Sequence, residues 1–334
     1  MTGGDGAPMT TVPVLIDTDP GIDDALALLL ALRTPGWRVE AVTTVAGNVP
    51  VEVGTRNVAR VLAVAQPNPA PLVAAGAAGP RAGTLVTATH VHGEDGIGGL
   101  STARRGDGSL RFPEGPLRFH GSDAADLILD SARRWRDTLS IVALGPLTNL
   151  AAALDRDEAA LRGVRAVVVM GGSVATGGNV TAAAEYNMFA DPESAARVLA
   201  AGLPLTLVPL DVTREVVWSE AAVERLSGVT DPAAQFACAV ARAALGLVRP
   251  LGEVGLTLHD PLAAGVALDP SLVETESLPV AVELRGDLTR GMVVVDRRPG
   301  RSRCAPWPRC RVALRVDAQR FLRVFEERLW PGSA

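Results

Sequence analysis

The chain has 334 residues, of which 48% are hydrophobic and 21% are charged, and its formal net charge is −5 at pH 7. A chain of this length can bury a sizeable core as one large domain or as two ordinary ones. The acidic balance excludes the basic surface by which proteins bind nucleic acids and anionic membranes. All 32 basic residues are arginine, which excludes Schiff-base catalysis by lysine, a lysine general base and the lysine of a Walker-type phosphate loop.

Short apolar runs alternate with helix-like segments from the N-terminal end to about residue 209. In chain order, the predicted strands are Val12–Ile16, Val39–Thr44, Ser140–Leu144, Arg165–Met170 and Leu205–Pro209, and the predicted helices are Ala25–Leu32, Thr55–Ala65, Leu147–Leu154 and Pro192–Ala200. Strands that are apolar on both sides and alternate with helices are typical of parallel sheets covered on both faces. We therefore predict a Rossmann-like α/β fold with an open, mostly parallel but mixed sheet and helices on both faces.

Two regions depart from this alternation. Ala75–Leu117 is rich in Gly, Pro and Thr, which predicts a long functional loop or a lid. Towards the C-terminus, Val280–Leu284 and Met292–Asp296 predict a hairpin, followed by an edge strand at Arg311–Val316 and a closing helix at Ala318–Leu329. Because neither a linker nor a repeat is visible, we expect a single domain over residues 1–334, with a disordered N-terminus at residues 1–11.

Cysteine usage and the termini favour a cytoplasmic protein. Cys238, Cys304 and Cys310 form neither a disulfide framework nor a zinc pattern, although Cys304 and Cys310 could form a local bridge if oxidised. We expect free thiols in a reducing cytosol. The N-terminus lacks the basic start and apolar stretch of a signal peptide. The longest apolar run, Ala25–Leu32, is far shorter than the roughly 20 residues that span a bilayer.

The segment Asp17–Asp24 carries four carboxylates directly after a predicted strand, where the next helix begins. Ligands of open α/β sheets bind at the carboxyl ends of the strands. Four anions this close repel one another and lose hydration when buried, and a bound cation removes both penalties. Oxygen ligands without a nearby Cys or His favour a hard ion, Ca²⁺ or Mg²⁺. A helix cap alone would need only one Asp.

Five further polar segments follow predicted strands or lie in the long loop: Gly47-Asn48, His92-Gly93, Leu144–Asn149, Asn179–Asn187 and His259–Pro261. Each is also compatible with a plain structural role, as a turn, an exposed loop or a helix start. A backbone carbonyl in such a turn can bind a hard cation. Amides together with a carboxylate suit a hydroxyl-rich ligand such as a sugar.

In their order along the chain, these motifs resemble the inosine-uridine preferring nucleoside hydrolase family. The opening Asp-Thr-Asp-Pro-Gly-Ile-Asp-Asp is highly specific, and the Gly-Asn, His-Gly, Leu-Gly-Pro-Leu-Thr-Asn, Ala-Glu-Tyr-Asn and His-Asp-Pro stretches follow it. The resemblance implies the nucleoside hydrolase type of fold and one bound Ca²⁺ ion. The implied ligands are the side chains of Asp19, Asp24 and Asp260 and the backbone carbonyl of Leu144. Asp17 would hold these ligands in place.

The resemblance also implies an activity, the hydrolysis of the N-glycosidic bond of ribonucleosides through an oxocarbenium-like transition state. Asp23 matches the general base that takes a proton from the metal-bound water. The residues that match ribose contacts are Asn48, Met170, Asn179, Glu185 and Asn187. His259 is the first candidate for protonating the leaving base, and His92 is the second. Members of the family commonly form dimers or tetramers, so we expect a homo-oligomer.

Two departures from the family pattern lie on the side of the base. The predicted helix Phe236–Val248 has no tyrosine, and Ile-Gly-Gly replaces the usual Leu-Asp-Gly after the His-Gly motif. The chain has only five Trp, six Phe and one Tyr, so few rings are available to stack on a base. We therefore expect a base site that is aliphatic or completed by mobile loops, with selectivity that comes mostly from the ribose. The sequence assigns neither a purine nor a pyrimidine preference.

Two other functions are compatible with parts of the sequence. Asp17-Thr18-Asp19 after a strand resembles the nucleophile motif of haloacid-dehalogenase-like phosphatases. Those enzymes need a lysine, or rarely an arginine, to neutralise the aspartyl-phosphate, and this chain has no lysine. The second alternative is a nucleoside- or sugar-binding protein on an inactive hydrolase fold. That alternative is disfavoured because none of the expected acidic residues is missing.

Overall fold

A computed structural model describes residues 11–225, 228–249, 252, 254–298 and 307–330. The strands are β1 Val12–Thr18, β2 Trp37–Thr44, β3 Leu72–Ala75, β4 Arg118–Phe119, β5 Ser140–Ala143, β6 Ala166–Met170, β7 Leu205–Val208, β8 Val217–Ser219, β9 Gly255–Thr257, β10 Val273–Val282, β11 Val293–Val295 and β12 Arg309–Val316. The helices are α1 Ile22–Leu32, α2 Val51–Ala65, α3 Thr89–His92, α4 Ala124–Trp135, α5 Thr148–Arg162, α6 Tyr186–Ala190, α7 Pro192–Leu199, α8 Leu210–Thr213, α9 Glu220–Arg225, α10 Pro232–Val248, α11 His259–Leu268 and α12 Ala318–Leu329.

Ten of the described strands form one sheet in the order β11-β10-β12-β7-β6-β5-β1-β2-β3-β4. The strands from β12 to β4 pair in parallel, and β10 is antiparallel to both β11 and β12. β8 and β9 form a separate antiparallel pair. The predicted α/β class and the mostly parallel, mixed sheet are thus confirmed, as is the antiparallel pairing expected of the hairpin.

The predicted edge position of the strand at Arg311–Val316 is wrong. In the structure β12 lies between β10 and β7, and among the described strands the edges of the sheet are β11 and β4. The physical reason is burial, because Val312 and Ala313 are fully buried. Alternating arginines at Arg309, Arg311 and Arg315 gave β12 the polar appearance of an edge strand.

The strand residues alternate between two hydrophobic clusters, one on each face of the sheet. Val14 and Ile16 belong to the cluster shared with α1, α10 and α11, whereas Leu15 belongs to the cluster shared with α4, α5 and α7. All three side chains are fully buried. A strand that is apolar on both faces requires helices on both faces, which explains why β1 lies in the middle of the sheet.

The order of the strands reverses direction at β1. The chain runs outward from β1 through β2 and β3 to β4, then returns through α4 to β5, which pairs with the other side of β1. The loops that follow β1 and β5 therefore leave in opposite directions and open a crevice at the carboxyl ends of these strands. Asp17–Asp24 and Leu144 lie at this crevice.

Three expectations concern other parts of the chain. Residues 1–10, most of the expected disordered terminus, lie outside the described residues, as does Cys304, so the local bridge to Cys310 is not described. Both Cys238 and Cys310 are buried. In the described residues, no helix is long and apolar enough to cross a membrane.

Candidate active site

The turn between β1 and α1 is organised by the side chain of Asp24. Its Oδ2 accepts the backbone N–H of Gly21 at 2.9 Å, and its Oδ1 accepts the hydroxyl of Thr18 at 2.5 Å. β1 ends at Thr18, Pro20 and Gly21 lie in the turn, and α1 begins at Ile22. A carboxylate in the first helical turn satisfies an N–H that has no partner within the helix, and the helix dipole favours its negative charge.

Carboxylates from two distant segments meet in this crevice. Oxygen atoms of Asp23, Asp24 and Asp260 lie within 4.8 Å of one another. Asp260 belongs to the first turn of α11, and Asp24 and Asp260 are buried. Burial and the negative charges of Asp23 and Asp24 hold the pKa of Asp260 well above its ordinary value. Burial and Asp24 likewise raise the pKa of Asp23 to about 7.

Asp19 lies beside this group, between two glycines. Its Oδ2 accepts the backbone N–H of Asn48 at 2.7 Å, whereas its Oδ1 is buried with no hydrogen-bond partner among the described residues. A Cβ atom at Gly47 would lie 2.0 Å from Asp19 Oδ2, and one at Gly145 would lie 2.6 Å from Oδ1. Burial and the charge of Asp24 raise the pKa of Asp19 well above its ordinary value. An unpartnered buried oxygen among other carboxylates fits a hard cation.

Asp17, at the end of β1, is bonded to side chains from neighbouring segments. Its Oδ1 accepts the Thr43 hydroxyl at 2.6 Å and the Asn149 amide at 2.8 Å. Burial raises the pKa of Asp17 to about 6, although both hydrogen bonds lower it. Asn149 also donates to the Thr44 carbonyl and accepts the Ala77 N–H. Asn149 thus joins three strand ends, a role that its place in the Leu-Gly-Pro-Leu-Thr-Asn motif did not reveal.

Asn187 brings two further predicted residues together. Its Nδ2 donates to the backbone carbonyl of Leu144 at 2.6 Å and to that of Met170 at 3.2 Å, and it contacts Met170 Sδ at 3.5 Å. Glu185 caps α6 and accepts the N–H groups of Asn187 and Gly172 at 2.9 and 2.8 Å. Burial raises the pKa of Glu185. These side chains form the wall of the crevice beyond β5 and β6.

Asn48 and His92 contact the acidic turn from the opposite side. Asn48 Nδ2 donates to Asp24 Oδ2 at 3.0 Å. His92 Nδ1 accepts the backbone N–H of Ile22 at 3.0 Å, so it caps α1 from the long loop. Burial lowers the pKa of His92 to about 4, and the imidazole is therefore neutral near pH 7. Because Nδ1 is an acceptor, the remaining hydrogen lies on Nε2.

His259 and Asn179 differ in their surroundings. His259 Nδ1 is 2.7 Å from the Thr213 hydroxyl, and burial together with the charge of Arg214 lowers its pKa to about 4. Asn179 is exposed, unlike the other predicted ribose residues, and its Oδ1 accepts the N–H of Tyr186 at 2.9 Å.

Tyr186 is a residue that the sequence reasoning missed, although it lies inside a motif that was singled out. Its hydroxyl donates to the Val86 carbonyl of the long loop at 2.7 Å. Burial and the charges of Asp19, Glu185 and Asp24 raise its pKa. Phe236, by contrast, is fully buried against Phe112 with ring centroids 4.9 Å apart, and belongs to the core.

Comparisons with known proteins agree with this arrangement. Residues 14–323 match the family described as inosine-uridine preferring nucleoside hydrolase. A pyrimidine-specific ribonucleoside hydrolase, RihA of Enterobacter sp. (strain 638), is 35% identical over 320 residues, which cover 95% of this chain and 97% of the relative. A purine-preferring ribonucleoside hydrolase from Gardnerella vaginalis is 30% identical with a TM-score of 0.86, covering 95% of this chain and 98% of that structure.

A plant nucleoside hydrolase is similar at the same level, with 30% identity, a TM-score of 0.85 and coverage of 96% of this chain and 99% of that structure. Fold and site thus define an enzyme that hydrolyses the N-glycosidic bond of ribonucleosides. The chain belongs to the inosine-uridine preferring nucleoside hydrolase family. Because similar proteins include one named for pyrimidines and one named for purines, similarity alone assigns no base preference.

Proposed function

We propose that this nucleoside hydrolase depends on Ca²⁺, with Asp23 as the general base and His259 as the group that assists departure of the base. The observation that carries the proposal is the buried acidic cluster, in which Asp19 Oδ1 has no hydrogen-bond partner among the described residues. Asp23, Asp24 and Asp260 offer further oxygens within 4.8 Å of one another. Such a cluster is costly without a cation.

The side chains of Asp19, Asp24 and Asp260 and the carbonyl of Leu144 would hold the ion. All four residues are buried. Ca²⁺ takes several carboxylate and carbonyl oxygens in flexible geometry, whereas Mg²⁺ usually keeps several waters. When bound, the ion would offset part of the negative charge of the cluster, bind ribose hydroxyls and lower the pKa of a water molecule. The Leu144 carbonyl accepts only the Asn187 amide among its described hydrogen bonds, which leaves it a lone pair.

Asp23 differs from the proposed ligands in its exposure. Asp24 is fully buried and Asp260 is 4% exposed, whereas Asp23 is half-buried. A general base must reach both water and substrate, and the partial exposure of Asp23 supports this role. Asp23 would take a proton from the attacking water, and the cluster of negative charges would stabilise the positive charge that develops on the ribose.

Asn48, Met170, Asn179, Glu185 and Asn187 are proposed to contact the ribose. Glu185 Oε1 accepts one backbone N–H and Oε2 accepts two, which fixes the carboxylate before substrate arrives. Asn187 is fixed in the same way by its bonds to Leu144 and Met170. Side chains that are already oriented lose little entropy when a sugar binds.

His259 is proposed to face the leaving base. Both histidines are neutral near pH 7, because burial lowers the pKa of each to about 4. His92 Nδ1 already accepts the N–H of Ile22, which supports a structural role for this side chain. When Thr213 donates to His259 Nδ1, the hydrogen of His259 lies on Nε2. From there it would stabilise the departing base by a hydrogen bond, which is strongest when charge develops on the acceptor.

The direct test is a panel of purine and pyrimidine ribonucleosides assayed for release of free base, with the enzyme either Ca²⁺-loaded or treated with a chelator. We expect base release from at least one riboside, its loss on chelation and its return when Ca²⁺ is added. Undiminished activity after complete metal removal, verified by elemental analysis, would refute the metal assignment. Unchanged rates for His259→Ala on inosine and uridine would refute the role of His259.

A further inference from the structure

Two charged residues on one turn after β7 hold a loop at the edge of the crevice. The Asn179 loop is defined here as residues 173–180. The Asp211 carboxylate accepts the backbone N–H groups of Val174 and Ala175, both at 2.7 Å. These two amides take both carboxylate oxygens, so the start of the loop is fixed by a pair of charge-assisted hydrogen bonds.

Arg214 holds the next part of the same loop through backbone carbonyls. Its Nη1 donates to Thr176 and Gly177, both at 3.1 Å, and its Nη2 donates to Gly178 at 2.7 Å. The planar guanidinium can satisfy several acceptors at once because its donors form a rigid fork. Together the two side chains bind one backbone group in each residue from 174 to 178.

The end of the loop leaves little freedom for Asn179 itself. A Cβ atom at Gly178 would lie 2.1 Å from the Ala184 carbonyl, so the backbone passes very close to the far side of the loop. The N–H of Asn179 donates to the same Ala184 carbonyl at 3.2 Å, and its Oδ1 accepts the Tyr186 N–H. Asn179 directly follows residues 174–178 in the chain, and its own hydrogen bonds to Ala184 and Tyr186 join it to the far side of the loop.

The turn that carries Asp211 and Arg214 also carries Thr213. The Thr213 hydroxyl is 2.7 Å from His259 Nδ1, and Thr213 is fully buried. Opposite sides of one short helix, α8, thus contact the Asn179 loop and the histidine proposed to face the base. α8 is anchored in turn, because the Leu210 N–H donates to the Gly172 carbonyl at 2.9 Å.

We propose that Asp211 and Arg214 are positioning residues for nucleoside binding, which clamp residues 174–178 and so fix Asn179 for its contact with the ribose. The proposal rests on the proposed function, because it assigns Asn179 to the ribose. Both residues would act through the loop, since the hydrogen-bond partners of their side chains among the described residues are backbone groups of residues 174–178. In the sequence both look like ordinary surface charges, and only the folded loop shows that each has several backbone partners.

The first test is Arg214→Ala, with Arg309→Ala as the matched control. Arg309 is also exposed and donates to a backbone carbonyl, that of Ser277. It lies at the start of β12, which runs parallel to β7, and therefore at the end of the sheet away from the crevice. We expect Arg214→Ala to accelerate amide hydrogen exchange in a peptide spanning residues 173–182, and Arg309→Ala to leave that peptide unchanged. Equal protection in the two variants would overturn the clamp, whatever the role of Asn179.

The second test is kinetic. We expect Arg214→Ala to raise KM about tenfold with kcat changed less than threefold, as the loss of charge-assisted hydrogen bonds at an exposed site suggests. Arg214→Lys keeps the charge and should recover part of the loss. Asp211→Ala should act in the same direction. A fall in kcat at constant KM would contradict action through Asn179.

A double-mutant cycle separates this proposal from the assignment of Asn179. If the clamp acts through Asn179, Arg214→Ala will raise KM in the native background and have little further effect beside Asn179→Ala. Full additivity of the two changes would overturn the proposal. An unchanged KM in Asn179→Ala alone would refute the contact of Asn179 with the ribose, and with it the effect of the clamp on nucleoside binding. The hydrogen-exchange experiment would still show whether Arg214 holds the loop.

Discussion

The two walls of the active-site crevice are built in different ways. The acidic wall, Asp17–Asp24, is one continuous segment at the end of a central strand, and its side chains are bonded mainly to their own turn and to the neighbouring strand. The opposite wall consists of loops that meet through contacts between distant residues, such as Tyr186 with Val86 and Asp211 with Val174. The acidic wall can determine the chemistry of the reaction. The loop wall can change, and with it the substrate preference, without disturbing the acidic wall.

The largest expected effect concerns the acidic wall. Asp23→Asn keeps the size of the side chain but removes the proton acceptor, so kcat should fall by about 10²–10⁴-fold, the usual contribution of a general base. Asp130→Asn is the matched control, because Asp130 is an exposed carboxylate on α4 that pairs with His120 and Arg133. Steady-state kinetics on a riboside checks both. A decrease of less than fivefold in Asp23→Asn would contradict its assignment as the base.

The second prediction concerns competition between protons and Ca²⁺ in the acidic wall. Without metal, burial raises the pKa of Asp17 to about 6 and that of Asp23 to about 7, and raises those of Asp19 and Asp260 further above their ordinary values. Raised carboxyl pKa values mean that the metal-free native state binds more protons than the unfolded state above about pH 4. The free energy of unfolding of the metal-free enzyme should therefore fall as pH rises from about 4 through 6 and 7.

Ca²⁺ should replace those protons, so the increase in Tm that Ca²⁺ produces should be small at pH 5 and larger at pH 8. Burial is the main cause of the lowered pKa values of His92 and His259, so we expect their contributions to be similar with and without Ca²⁺ and largely to cancel in this difference. Thermal unfolding of chelator-treated and Ca²⁺-loaded enzyme at each pH measures it. A Ca²⁺-dependent increase that is independent of pH would show that protons and the ion do not compete.

The third prediction uses the close approach of backbone to Asp19. Gly47→Ala would place a methyl carbon 2.0 Å from Asp19 Oδ2, so the Asp19 carboxylate would have to move. Because Asp19 is a proposed ligand, we expect Ca²⁺ binding to weaken about tenfold or more. Gly106→Ala serves as the control, because a Cβ there would meet nothing within 4 Å. Calcium titrations of both variants give the comparison, and equal affinities would contradict the placement of Asp19.

The smallest expected effect concerns the loop wall. Tyr186→Phe removes the hydrogen bond to the Val86 carbonyl while keeping the ring. A single hydrogen bond contributes about 0.5–1.5 kcal/mol, so we expect KM to rise a few-fold with Ca²⁺ affinity unchanged. A change in Ca²⁺ affinity would show that the two walls are not independent. Tyr186→Ala would also remove the ring, and any additional rise in KM would measure the contribution of the ring to nucleoside binding.

Sequence patterns predicted the acidic wall better than the loop wall for a physical reason. The four carboxylates, the strand before them and the helix after them are adjacent in the chain, so spacing alone places them at a strand end. The bond between Asn149 and Asp17 joins residues 132 positions apart, and that between Tyr186 and Val86 joins residues 100 positions apart. Contacts of this kind leave no periodic signal, so the roles of Asn149 and Tyr186 were missed.

The same contrast applies to the fold. The central strands β1, β5 and β6 were predicted because both of their faces are apolar. β4 consists of Arg118 and Phe119, both exposed, and gives no pattern to detect. Helix α4 was also missed, although Asp123 caps it by accepting the N–H of Asp126. The sheet position of β12 depends on its neighbours β7 and β10, and its own residues suggested an edge.

Direct titration of the metal-free enzyme with Ca²⁺ is the most direct test of the central claim that the acidic wall is a cation site. Isothermal calorimetry should detect one ion bound per chain in the native protein, with proton release near pH 6–7 and no measurable binding in Asp24→Asn. Full ribonucleoside hydrolysis by protein that binds no Ca²⁺, or equal Ca²⁺ affinity in native protein and Asp24→Asn, would contradict it.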